Sequence, residues 1–345
     1  MSRQTSGGVA MRLAMVQLGD EPLPAVVVDE PGGGLGVVLL RTLMGPSAPS
    51  DLLAALPLRE TIFARLRDRP APDVRLPPGS APRASGRDFR WLPPVPRPPT
   101  FRDFYAFEAH VRTARARRGL PMDDAWYERP VFYFSSTSSL VGHEAAVYAP
   151  AGSRELDYEL EVGIVIGRGG RDIPLASAWE HVAGLTIVND FSARDLQRQE
   201  MKVGLGPCKG KDFATAVGPW LVPLDRFDID DDGRIDAAMT ARVNGRTLSR
   251  GNLAELHFTI PRLVAEASRD CTLLPGDLLG TGTVGTGCIL ELGPENVGGY
   301  LRPGDVVELE VQGIGTLRNH IVERPAPAAV PHDAPSAAIS PRSNL

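Results

Sequence analysis

The chain has little of what marks a secreted or membrane protein. Its 345 residues include three cysteines, Cys208, Cys271 and Cys288, and none stands in a CxxC pair. Such thiols argue against a disulfide framework and a thiolate zinc site, and they suit the reduced state of a cytoplasmic protein. No apolar run approaches the roughly 18 residues that cross a bilayer. The opening stretch, MSRQTSGGVAMRLAMV, has no apolar leader core. Strong charge of either sign is also missing. The net charge is −5, which argues against generic binding to nucleic acid or a membrane surface. No internal repeat recurs, which excludes solenoids and propellers. No GxGxxG follows a strand with an acidic residue about 20 positions on, and GRGG at 167–170 is too short a match.

Glycine and proline are abundant instead, with 36 and 32 residues, about a fifth of the chain against an average of roughly 12%. Both weaken helix interiors, so a turn-rich β protein or long loops are expected rather than a helical bundle. Ten prolines fall between Pro70 and Pro99, and five more in the last 21 residues. This divides the chain into a small N-terminal domain (1–69), a Pro-rich linker (70–97), a large unit (98–324) and a disordered tail (325–345). The 43% hydrophobic content supplies a sizeable core.

In the N-terminal unit RLAMVQL, AVVVDE and GVVLL read as strands, and LLAALPLRETIFARLRD as a helical pair. In the large unit the stripe Phe104, Phe107, Val111, Ala114 predicts one helix over 101–118. LDYELEVGIVIG and HVAGLTIVND read as strands, and LHFTIPRLVAEASRD as a helix. MTARVNGRTLSR reads as a hairpin turning at Asn244-Gly245. Pro275-Gly276-Asp277 and Pro303-Gly304-Asp305 predict type II turns, each leading into a strand, DLLGTGTVG and DVVELEVQG. Helices and strands do not alternate regularly, so the expected class is a β-rich α+β fold, not a doubly wound sheet.

Four segments carry candidate chemistry. Period-two geometry puts Glu159 and Glu161 on one strand face, about 7 Å apart. Two buried like charges are costly unless something neutralises them. An all-oxygen set suits Mg²⁺, Mn²⁺ or Ca²⁺; the other reading is a solvated edge strand. Asp190 ends an apolar strand, where ligand sites gather, although it or Ser192 could simply cap the next helix. On that helix Arg194 and Gln197 share a face. Glycines around Lys211 let backbone approach a ligand, or make a plain loop. On the helix expected at 101–118, Asp103 and His110 lie two turns apart on one face, and His110 is either a general base or a structural histidine. Arg112, Arg115, Arg117 and Arg118 read by default as a solvated basic face.

Together these motifs, DFYxxxxH, DYELE, NDxSARDxQ, GKxF, Gly282-Thr283 and LEL, resemble the fumarylacetoacetate hydrolase family over roughly 98–324. The resemblance implies a mixed β-sandwich roll behind a small N-terminal β/α domain, and a homodimer. It places metal ligands at Asp103, Glu159, Glu161 and Asp190, with Mg²⁺ the leading cation and Mn²⁺ or Ca²⁺ as alternatives. His110 matches the general base, and Glu291, in an LEL strand, matches the residue that orients it. Arg194, Gln197, Lys211, Tyr105, Tyr133 and Thr283 match positions that contact substrate or stabilise an oxyanion. Lys211 and Thr215 would lie near a second cation site. In two places the chain differs from fumarylacetoacetases: Met201 stands for a substrate-contacting tyrosine, and Gly119 for an arginine, with Arg118 one place earlier. The implied function is metal-dependent hydrolysis of a C–C bond in a small β-diketo acid. The alternatives are acylpyruvate hydrolysis, oxo-acid decarboxylation, dienoate isomerisation or hydration, and a non-catalytic binding relative.

Overall fold

The computed structural model describes residues 12–68, 70–76 and 89–326; the middle of the Pro-rich stretch, and the expected tail from residue 327 on, lie outside these. Short β-branched runs form β1 (Arg12–Leu18), β2 (Glu21–Asp29) and β3 (Leu35–Leu39), paired antiparallel in that order. Alternation splits β1 between two cores. Leu13 and Met15 join one, Ala14 and Val16 the other. The first is covered by α1 (Leu40–Met44), α2 (Leu52–Ala55) and α3 (Arg59–Leu66), which contribute Leu40, Leu52, Ile62 and Leu66. Fully burying such a side chain contributes roughly 1.5–3 kcal/mol. The stretch expected as a linker, 70–97, is in part sheet: β4 (Val74–Leu76) pairs with β3 and β5 (Phe89–Leu92) with β1.

The single helix expected over 101–118 is in fact a strand, β6 (Phe101–Phe104), and a helix, α4 (Glu108–Ala116). The stripe of helical spacing is overridden because Phe101 and Phe104 fill opposite cores, which only a strand allows. Asp103 and His110 therefore stand on different elements. Next come α5 (Ala125–Glu128), β7 (Phe132–Ser135), β8 (Leu140–Val141) and β9 (Ala146–Val147). LDYELEVGIVIG also divides, into β10 (Leu156–Asp157) and β11 (Leu160–Ile166). The break falls where Glu159 N donates to the Asn189 side chain (3.0 Å) instead of to a ladder.

HVAGLTIVND forms β12 (Val182–Asn189), followed by β13 (Ser192–Ala193), α6 (Arg194–Met201) and β14 (Thr215–Pro223). The expected hairpin is β15 (Ala238–Val243) and β16 (Arg246–Asn252). Asn244 and Gly245 take φ of 53° and 76° at its turn, as a type I′ turn requires. Helix α7 (Ile260–Ser268) precedes β17 (Leu278–Gly280), which is shorter than the strand expected at DLLGTGTVG. The LEL segment is not a strand but the short helix α8 (Ile289–Leu292); α9 (Pro294–Val297), β18 (Val306–Val311) and β19 (Gly315–Ile321) complete the chain.

The fold is a strand-rich α+β arrangement of several sheets. The main sheet runs β4-β3-β2-β1-β14-β12-β11-β17-β6-β7, and a second runs β16-β15-β18-β19-β9. Strand β11 is buried on both faces: Leu160, Val162 and Ile164 join one core, Val165 the other. That explains its nearly continuous apolar run. Among the described residues no helix is long and apolar enough to cross a membrane.

His143 shows how a turn is tied to β19. Its Nδ1 accepts from Arg318 N (2.9 Å), so that nitrogen carries no proton. Its Nε2 lies 3.3 Å from Glu144 Oε1. Burial pushes the imidazole pKa down to about 4, Glu144 pulls it up, and Arg318 and His320 push it down further. The unfolded value is about 6.5, so the unfolded chain takes the proton first as pH falls. Stability from neutral His143 is complete above about pH 6.5 and is lost progressively toward pH 4. The urea midpoint should therefore fall more steeply between pH 7 and 4.5 in the wild type than in His143→Gln, whose amide oxygen can still accept from Arg318. Equal slopes would remove His143 as the titrating group.

Candidate active site

The main sheet brings the four predicted carboxylates to one place. Asp103 on β6 pairs with Gly280 on one side and Tyr133 on the other. Glu161 on β11 lies opposite Val188, Glu159 precedes that strand, and Asp190 follows β12. All four are buried, between 0% and 5% exposed. The sheet is thin here for a reason. A Cβ on Gly280 would stand 2.2 Å from Asp103 Oδ1 and 3.0 Å from Glu161 Oε2. Only glycine leaves room for both carboxylates.

Two cations and a phenol tie this cluster together. Lys211 Nζ donates to Glu159 Oε2 and, at 2.6 Å, to Asp190 Oδ2. Tyr133 Oη contacts Asp190 Oδ2 and Asp103 Oδ2, the latter at 3.1 Å. Thr215 Oγ1 donates to Asp190 Oδ1 (3.1 Å), and Thr283 Oγ1 to Glu161 Oε1 (3.2 Å). Arg194 reaches Glu159 Oε1 (2.7 Å), Asp157 Oδ2 (2.8 Å) and Gln197 Oε1 (3.0 Å). Asp190 caps no helix: α6 begins at Arg194 with Ala193 before it. Lys211 is one of only three lysines, with Lys202 and Lys209.

The electrostatics divide the four. Burial pushes Glu159 up, but Lys211, Arg194 and then His110 outweigh it and hold its carboxyl at about 2. Burial also works against the Lys211 ammonium, yet Asp190 and Glu159 raise its pKa. Asp103 and Glu161 make no hydrogen bond to either cation, and at Asp103 the pull of Lys211 only partly offsets burial. Burial and neighbouring carboxylates raise both well above the ordinary range. Asp103 Oδ1 and Glu161 Oε2 are buried with no donor from any other residue, and a proton shared between the two is the one hydrogen bond open to them. Orphaned oxygens in an all-oxygen set fit a hard divalent cation. The four are not closed into a tight ligand shell, however. Among the described residues, three potential ligand atoms that lie within 4.8 Å of one another belong to His110, Cys288 and Glu291.

His110, on α4, has Nδ1 2.8 Å from Glu291 Oε2 on α8. The carboxylate is close but out of line with the ring N–H, so Nδ1 has no aligned hydrogen-bond partner. Glu291 Oε1 accepts from Thr286 N (3.2 Å) and Oε2 from Cys288 Sγ (3.5 Å). The Tyr105 ring stands edge-on to His110, centroids 5.3 Å apart. Burial lifts the Tyr105 hydroxyl to about 12 against the pull of Arg118. Arg118 is exposed and donates to Ala114 O (3.1 Å) within its own helix region. It is the predicted residue whose hydrogen bond points away from the cluster.

Asp157 is the residue that motif reading passes over. It is fully buried, and it accepts from Ile289 N (2.7 Å), Leu290 N (3.0 Å) and Arg194 Nε. It thereby links the helix bearing Glu291 to the arginine bracing Glu159. The signal is an extra acid two residues before Glu159, in a segment otherwise read for its glutamates alone.

The family model described as fumarylacetoacetate (FAA) hydrolase C-terminal matches residues 100–322, and the chain belongs to that family. Three solved structures show the likeness. A fumarylacetoacetate hydrolase from psychrophilic Exiguobacterium antarcticum is 27% identical, with TM-score 0.66 over 91% of this chain and 100% of that one. A 5-carboxymethyl-2-hydroxymuconate delta-isomerase from Mycobacterium smegmatis is 27% identical, with TM-score 0.61 and the same two shares. A fumarylpyruvate hydrolase from Pseudomonas aeruginosa, in complex with Mn²⁺ and pyruvate, is 27% identical, with TM-score 0.54 over 68% of this chain and 92% of that one.

Two outcomes follow from the charge division. Glu161→Gln removes a charge that burial and Asp103 disfavour, so the melting temperature of metal-free protein should hold or rise. The upward shift that Mg²⁺ or Mn²⁺ gives the wild type should disappear in that variant. A shift of wild-type size would take Glu161 out of the cation's reach. Asp157→Ala leaves Arg194 short of one buried partner and should cost about 3–5 kcal/mol, read by urea unfolding. A loss below about 1 kcal/mol would show that Asp157 does not brace the site.

Proposed function

We propose that the chain is a metal-dependent hydrolase that cleaves a C–C bond in a small fumarylacetoacetate-like β-diketo acid. The observation that carries this is the buried His110–Glu291 pair, 2.8 Å apart, lying close enough to Glu159 to depress its pKa. A base beside a carboxylate cluster is what water activation next to a chelated oxo-acid needs. Supporting it are the family membership and the likeness to two hydrolases of this substrate type.

Asp103, Glu159, Glu161 and Asp190 would hold the divalent cation, Mg²⁺ or Mn²⁺. Bound there, the cation supplies Lewis-acid polarisation of the substrate's oxygens and a place for the charge of an enolate. The chain's own residues do the rest. His110 takes the proton of a water at Nε2, while the Glu291 carboxylate, 2.8 Å from Nδ1, offsets the charge the ring gains. The hydroxide attacks the distal carbonyl; collapse of the tetrahedral adduct breaks the C–C bond and gives one acid and an enolate, whose carbon takes the proton back from His110. Lys211 and the Gln197 amide, with Thr283 nearby, face the developing oxyanion. A donor of this kind contributes roughly 3–4 kcal/mol. Arg194 is already engaged by Asp157, Glu159 and Gln197, so its part is to orient Glu159 and Gln197. Tyr133 keeps Asp103 and Asp190 in register.

A second reading is isomerisation of a hydroxydienoate by the same base and cation, favoured by the likeness to the delta-isomerase. Product analysis on a panel of β-diketo acids and hydroxydienoates separates the two. Two acids from one substrate mean hydrolysis; one product of unchanged mass means isomerisation. Under the first reading His110→Ala should keep Mn²⁺ binding, measured by calorimetry, while kcat falls about 10²–10⁴-fold. Normal turnover in that variant would end the base assignment.

A further inference from the structure

We propose that His110, Cys288 and Glu291 form a second metal site, one that takes a thiophilic divalent cation of the Zn²⁺ class in place of the proton chemistry His110 performs. One ring nitrogen, one sulfur and one carboxylate oxygen from these residues lie within 4.8 Å of one another. All three side chains are buried, at 5%, 0% and 8% exposure. Tetrahedral zinc binds nitrogen and oxygen at about 2.0–2.2 Å and sulfur at about 2.3 Å, so its ligands stand somewhat over 3 Å apart. A small rearrangement meets that geometry: Glu291 Oε2, now 2.8 Å from His110 Nδ1, moves slightly away from the ring, while its 3.5 Å separation from Cys288 Sγ already suits two ligands of one ion. Three protein ligands leave the fourth position to water, the pattern of open zinc sites.

A second observation points to a ligand here. His110 Nδ1 is buried without an aligned hydrogen-bond partner, although Glu291 Oε2 is only 2.8 Å away. A carboxylate held near a ring nitrogen but off its N–H axis is placed as well to share a cation as to share a proton. Without an ion, burial and then Asp157 raise the Cys288 thiol well above its ordinary value, so it stays protonated and unreactive. Coordination would expel that proton. Each ion bound then releases one proton from Sγ to solvent, and neutral His110 lends a lone pair.

The two sites of the pocket differ in hardness. The carboxylate cluster offers oxygen alone and suits Mg²⁺ or Mn²⁺, whereas the trio offers nitrogen, sulfur and oxygen and suits zinc, cadmium or cobalt. Binding at the trio stands apart from any reaction. Its consequence, an enzyme silenced because its base is ligated, rests on the hydrolase reading above.

The test uses the full chain carrying Cys208→Ser and Cys271→Ser, both exposed thiols outside the trio, so that Cys288 is the remaining cysteine. Cd²⁺ or Co²⁺ is added with Mg²⁺ in excess, and the thiolate-to-metal charge-transfer band is followed. The expected result is a band saturating at one ion per chain, with release of one proton. Zn²⁺ should displace it. Adding Cys288→Ser should abolish the band, and adding His110→Ala should weaken binding at least tenfold. No band in the double variant, or one unmoved by His110→Ala, would overturn the site. For the consequence, Zn²⁺ inhibition of turnover should resist excess Mg²⁺. The Zn²⁺ concentration for half inhibition should rise at least tenfold in Cys288→Ser, each protein compared with itself without Zn²⁺. Inhibition that Mg²⁺ relieves fully would overturn the antagonism and leave the spectroscopic site standing.

Discussion

Burying like charges is the constraint around which this molecule is arranged. Asp103 stands with Glu159, Glu161 and Asp190 in a sheet interior that excludes water. Lys211 and Arg194 are the cations set against them, and between them they engage Glu159 and Asp190. Asp103 and Glu161 are left facing each other across Gly280. The cluster is thus half neutralised by the chain itself and half open. Full ionisation of that open half is costly in a buried site, which is why burial and neighbouring carboxylates raise both groups, and the surrounding packing has to keep them in place. Strands β11 and β12, apolar on both faces, provide that support.

The second dependence is mechanical. Asp157 receives two backbone N–H groups of α8 and the Nε of Arg194. The helix that carries Glu291 and the arginine that braces Glu159 therefore share one anchor. The base side and the carboxylate side of the pocket cannot shift independently. Positioning of this sort, by side chains whose own rotamers are fixed, is what holds a reactive geometry to fractions of an ångström.

Much of this is legible in the chain. Alternation in YELEVGIVI and the apolar run leading into Asp190 locate three of the four carboxylates, because a both-face apolar run admits a charge only for a reason. The hairpin at Asn244-Gly245 is plain from its turn chemistry. What is not legible comes from long-range pairing. Asp103 carries helical spacing around it, yet β6 forms because β17 and β7 accept it on either side. Glu291 sits on a turn of helix, not a strand, since Asp157, more than 130 positions earlier, takes the first N–H groups. Arg194 reads as a substrate donor, and only its three partners reveal a brace. No local pattern records such partners.

The scarcity of lysine has a consequence of its own. Basic charge in this chain is almost wholly arginine, and the three lysines fall within ten residues of one another. Lys202 and Lys209 are exposed beside the loop that leads to buried Lys211. Every ε-amine of the chain therefore lies on one stretch, 202–211, which ends at a side chain bonded to the carboxylate cluster. Any chemistry directed at lysine, whether acylation, cross-linking or attachment to a surface, is steered to that one stretch, and the remainder of the molecule is invisible to it.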